Sequence, residues 1–88
     1  MSDEMTVGKA EVLASLMEQL EYCERMVAME ARLDLVVVML EELIQRLSSQ
    51  SPDLEERERL AMLERARLIY HRAKTLLYLA EATKDTKY

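Results

Sequence analysis

The sequence predicts an all-α protein: an antiparallel helical hairpin with a long first helix, or a three-helix arrangement if that helix breaks near residues 24–32. Three observations carry this expectation. Half of the 88 residues are apolar and a third are charged, with one Gly and one Pro, the composition of helix pairs, bundles and coiled coils. Apolar residues recur at steps of three and four over long stretches, which is helical spacing. The interior holds a single cluster of turn formers, Ser48-Ser49-Gln50-Ser51-Pro52-Asp53. Repeated β-branched alternation is missing, so strands have no support. A chain this short makes one domain, read here as helix 7–48, turn 48–53, helix 53–83 and a polar tail 84–88.

The first segment has no Pro, and no Gly after Gly8. Its apolar residues form two series, each alternating steps of three and four. The first is Leu13, Leu16, Leu20, Cys23 and Val27; the second is Met26, Met29, Leu33, Val36, Leu40, Leu43 and Leu47. Extending the first lands on Glu30 and Asp34, so one residue of phase slips, as in a coiled-coil stammer. Ala28-Met29-Glu30-Ala31 are all good helix formers, which favours one continuous helix whose buried face rotates. A bend around 24–32 is the alternative.

The turn cluster offers two helix starts. Ser51 caps a helix with Pro52 at its first position, or Asp53 caps it with Glu56 three residues on, as in a capping box. Both give a tight reversal, and short connections between helices favour antiparallel neighbours. The second segment places Leu60, Leu63, Tyr70, Leu77 and Ala80 on one stripe, with Met62, Ile69 and Leu76 at its flank. Ala66 and Ala73 are small positions that permit close approach. Glu21–Arg25, Glu42–Arg46, Asp53–Arg57 and Glu55–Arg59 have the favourable order for i,i+4 pairs.

The net charge of −5 argues against a general nucleic-acid binder, whose affinity rests on phosphate contacts. The charge is uneven: residues 1–50 carry ten acids and four bases, residues 51–88 seven acids and eight bases. Such asymmetry can steer association. Cys23 is the only cysteine, so no disulfide forms within one chain. The start Met1-Ser2-Asp3-Glu4 is acidic, unlike a signal peptide. The longest apolar run, Leu35 to Leu40, is far shorter than the roughly 20 residues of a membrane span. A cytoplasmic protein with no membrane span is expected.

Apolar surface exceeds what one hairpin seam can cover. Residues 33 and 35–40 are apolar nearly all round the helix, a pattern of burial on several sides. Two solutions exist: association, or residues 7–27 folding back over the hairpin. The first is preferred here, with Met26, Met29, Leu33, Val36, Val37, Leu40, Ile69 and Leu76 as partner-binding residues.

No constellation points to catalysis, metal or cofactor. His71 is the only histidine, and zinc sites need several Cys or His ligands. Cys23 falls on the Leu16–Leu20 stripe, as a packed thiol would, and no base can be identified beside it. Glu41-Glu42 and Glu55-Glu56 are adjacent in sequence, so they point in different directions on a helix. Gly8 alone makes no phosphate loop. Arg65, Arg67, Arg72 and Lys74 form a basic stretch without the aromatic platforms that bind single-stranded nucleic acid. Seven methionines suit either core filling or an adaptable binding groove.

The stretch Leu33 to Leu47, then Ser51-Pro52-Asp53-Leu54, then Leu60 through Leu79 with Leu63, Ala66, Ile69, Tyr70, Ala73, Leu76 and Tyr78, resembles the small E-type co-chaperones of bacterial type III secretion needles. In that family an acidic helical stretch leads into a hairpin whose second helix is rich in Leu, Ile, Ala and Tyr. The resemblance covers about half of the chain and rests on pattern and length. It implies a cytoplasmic protein that pairs with a tetratricopeptide-like chaperone and helps hold an export substrate, the needle subunit, monomeric. It carries over no catalytic residue. A self-associating helical protein, a homodimer or tetramer, is the second expectation.

Overall fold

The computed structural model describes the backbone of residues 2–49 and 54–85, and the side chains of 11–49 and 54–82. It contains three helices, α1 (Ser2–Ala28), α2 (Leu33–Ser48) and α3 (Glu56–Asp85), and no strand among the described residues. The all-α class read from the sequence is therefore what the chain adopts. The continuous helix over 7–48 is not: the chain breaks at residues 29–32, inside the 24–32 window of the alternative bend.

The break is built without Gly or Pro. Ala31 N–H donates to the Met26 carbonyl at 2.9 Å and Glu30 N–H to the Val27 carbonyl at 3.0 Å. These are the two bonds of a Schellman motif, which needs a left-handed residue just past the helix end. Glu30 fills that position at φ 52°. Arg32 is left-handed too, at φ 51° and ψ 45°, and no side chain caps the start of α2. Residues that are individually good helix formers are held here in a conformation that disfavours any side chain.

At its other end, α2 stops where Ser49 turns extended. The Ser48 hydroxyl donates to the Ile44 carbonyl at 2.7 Å. The expected reversal at 48–53 falls mostly on residues 50–53, which lie outside the described residues, as do the capping roles of Ser51, Pro52 and Asp53. The described part of α3 begins at Glu56 rather than near 53. Arg59 reaches the Leu47 carbonyl, and Tyr70 reaches Glu41, so α2 and α3 lie antiparallel. Arg65 pairs with Glu24, and a groove joins Val27 and Ala28 to Ile69 and Arg72, so α1 runs parallel to α3. The result is an up-down-up arrangement.

One core joins the helices. It takes Leu16, Leu20, Cys23 and Val27 from α1, and Leu33, Val36, Val37, Leu40, Leu43 and Leu47 from α2. Apart from Val37 these belong to the two sequence series, of which Leu13 and Met26 are half-buried and Met29 is exposed. From α3 come Met62, Leu63, Ala66, Ile69 and Ala73. Ala66 and Ala73 are fully buried; their small side chains let two neighbouring helices approach the same face. Leu60, placed on the inner stripe by the sequence reading, instead lies exposed.

Candidate partner-binding surface

The eight residues expected to bind a partner do not share a free surface. Leu33, Val36, Val37, Leu40 and Ile69 are buried in the chain's own core, and Met26 and Leu76 are half-buried against it. Only Met29 is exposed, at 60%, beside the turn. Their burial has a simple cause. The apolar face of residues 33–40 is too wide for one neighbour, but α1 supplies the second neighbour within the same chain. Most of that width is covered within the chain, leaving Leu35 and Val38 outside.

What remains outside is a different set. On α3, Leu60 is 49% exposed, Leu68 67% and Tyr78 71%. Leu35 and Val38 lie exposed on α2, and Met17 and Tyr22 on α1. Leu68 sits two residues from Ala66, about 200° round the helix, hence almost opposite the core-facing side. It separates two grooves. One, of about 380 Å³, runs between α1 and α3 and is lined by Glu24, Val27, Ala28, Arg65, Leu68, Ile69 and Arg72. The other, of about 400 Å³, is lined by Leu60, Leu63, Glu64, Arg67 and Leu68. The sequence reading missed Leu68. Its signal was available: an apolar residue on the side of α3 away from the Ala66–Ala73 axis.

Polar ties fix the frame around these grooves. Arg65 forms an ion pair with Glu24, linking α3 to α1. The Arg59 guanidinium, largely buried, donates to the Leu47 carbonyl at 2.7 Å and pairs with Glu56 three residues earlier, not with Glu55 as the i,i+4 spacing implied. The Tyr70 hydroxyl donates to a Glu41 carboxylate oxygen at 3.0 Å. That hydrogen bond, with some desolvation and the carboxylate's charge, pushes the phenol above its ordinary range.

Elsewhere the chemistry is sparse. His71 is exposed on α3. Cys23 is a free, buried thiol whose burial pushes its pKa up, which opposes formation of a nucleophilic thiolate. Among the described residues no group of three or more His, Cys, Asp or Glu is placed to hold a metal ion. No described helix is long and apolar enough to cross a membrane. Compared with protein-family models, curated proteins and solved structures, the chain matches none.

Proposed function

We propose that this chain is a non-enzymatic helical protein-binding module that receives its partner on the outward face of α3. The observation that carries this is Leu68, two-thirds exposed between two grooves after the core has closed. Hiding a large apolar side chain from water contributes about 1.5–3 kcal/mol, so Leu68 and Leu60 together give a partner a useful anchor. The resemblance to type III secretion needle co-chaperones supplies a specific role. The chain would act with a tetratricopeptide-like chaperone to keep an export substrate soluble and monomeric.

The test is a photo-crosslinking residue placed at position 68 in the native host, with position 42 on α2 as the control. A discrete adduct with another protein from position 68 alone supports the reading. Adducts joining only two copies of the chain would replace it with self-association into a homodimer or tetramer. No adduct from position 68 would remove α3's outer face as the binding surface.

A further inference from the structure

We infer that the partner element recognised beside Leu68 is an acidic amphipathic helix. This rests on the binding-module reading and names the partner's chemistry. The chain is acidic overall, at −5, yet its charge is locally inverted along α3. Between Glu64 and Glu81 the sequence carries Arg65, Arg67, Arg72 and Lys74 and no carboxylate. Arg65 is paired with Glu24, whereas Arg67, Arg72 and Lys74 are exposed and make no ion pair among the described residues. Two of these unneutralised guanidinium groups line the grooves on either side of Leu68.

An exposed apolar knob bordered by cations matches one kind of surface: an apolar stripe flanked by carboxylates. From Leu60 to Arg72 the helix runs about 18 Å, at 1.5 Å per residue. That length accepts roughly three turns of a partner helix, whose residues at i, i+3, i+4 and i+7 can straddle Leu68. Guanidinium groups suit carboxylates because their planar donors can engage both oxygens. Glu24 and Glu64 line the same grooves, so a partner's anions must fall beside Arg67 and Arg72 and away from these carboxylates. Discrete side chains on a helix can meet that spacing, whereas a phosphate backbone carries its charge at every step.

The experiment titrates the full-length, isotope-labelled chain with a synthetic helical peptide of about 18 residues, Leu on one face and Glu on its flanks. A second peptide keeps the Leu face and replaces every Glu with Lys. The acidic peptide should shift backbone amide signals in 24–28 and 60–72 and bind at least about tenfold more tightly than the Lys peptide. Added salt should weaken it, since exposed charges are screened over about 10 Å at 0.1 M salt. The paired substitution Arg67→Glu and Arg72→Glu, on exposed positions that leave the core intact, should reverse the preference between the two peptides. Equal or tighter binding of the Lys peptide, or shifts confined to other regions, overturns the inference. So does displacement of the acidic peptide by a short RNA or by anionic vesicles. Crosslinking of a partner at position 68 without acidic preference would defeat this inference alone; absence of any such adduct would defeat the binding reading beneath it.

Discussion

Arg59 buries its guanidinium between the last turn of α2 and the first turn of α3. Its Nη1 gives the Leu47 carbonyl a partner that the end of a helix otherwise lacks, and its charge suits the negative end of α2. Its Nε is buried without a hydrogen-bond partner, so part of that gain is offset. Arg59→Ala should cost about 1–3 kcal/mol, because a buried acceptor loses its donor. Glu56→Gln touches only an exposed ion-pair partner and should cost under about 1 kcal/mol. Urea denaturation of both variants checks the ranking, and equal losses would show that the ion pair, not the carbonyl contact, holds Arg59. Cys23 gives a pH-dependent counterpart. Its pKa is raised by burial from an ordinary value of about 9, so above pH 9 the unfolded chain releases the proton first. The folded state then holds more protons, and stability falls as pH rises, by at most about 1.4 kcal/mol per pH unit. Wild type should therefore lose more stability between pH 8 and pH 10.5 than Cys23→Ala; parallel losses would mean that the thiol ionises freely in the fold.

The elements themselves turn on four residues. The one-residue slip near 23–29 was legible, and so was the spacing of Leu16, Leu20, Cys23 and Val27 before the break and of Leu33, Val36, Leu40, Leu43 and Leu47 after it. Val37, buried with them, belongs to neither series. What the sequence could not reveal was how the chain absorbs the slip. Helix propensity is a weak prior that packing overrides, and Ala28-Met29-Glu30-Ala31 reads as helix throughout. Burying Leu33 and Val36 against α1, however, requires a reversal, and tertiary packing holds Glu30 and Arg32 left-handed to make it. Each such residue costs about 1–2 kcal/mol relative to a helical conformation. Glu30→Gly should recover about 1 kcal/mol of this, since Gly is the residue preferred at that position of a Schellman motif. For a domain of this size the gain corresponds to a Tm rise of about 4–8 °C. A lower Tm would mean that the helix runs on through residue 30, as the propensities alone imply. The partner surface was less legible because the apolar width of residues 33–40 fits association and a fold-back of residues 7–27 equally well. With α1 folded back as the second neighbour of α2, Val36, Val37 and Leu40 are interior, and the surface passes to Leu68, which no inward periodicity marks.

For the whole molecule, helix pairing sets a staggered shape. Glu24 of α1 lies level with Arg65 of α3, so residue 15 stands level with the start of α3 at Glu56. The 13 earlier residues of α1 then extend about 20 Å past that start, at 1.5 Å per residue. Added to about 45 Å for the 30 residues of α3, this gives roughly 65 Å, close to the observed long dimension of 63 Å against 19 and 15 Å across. The Cα radius of gyration is 15.9 Å, whereas a compact domain of this length has about 12 Å. Such a rod has little interior, which is why small residues such as Ala66 and Ala73 serve as its axis and why apolar side chains remain outside. Small-angle X-ray scattering should give a monomer with a maximum dimension near 63 Å and a radius of gyration at or slightly above 15.9 Å. A value near 12 Å would mean that α1 does not overhang α3. A forward-scattering mass of two or four chains, persisting on dilution, would show that the apolar residues left on the outside are covered by further copies of the chain. The face carrying Leu68 would then be open to a different protein only if the assembly left it uncovered.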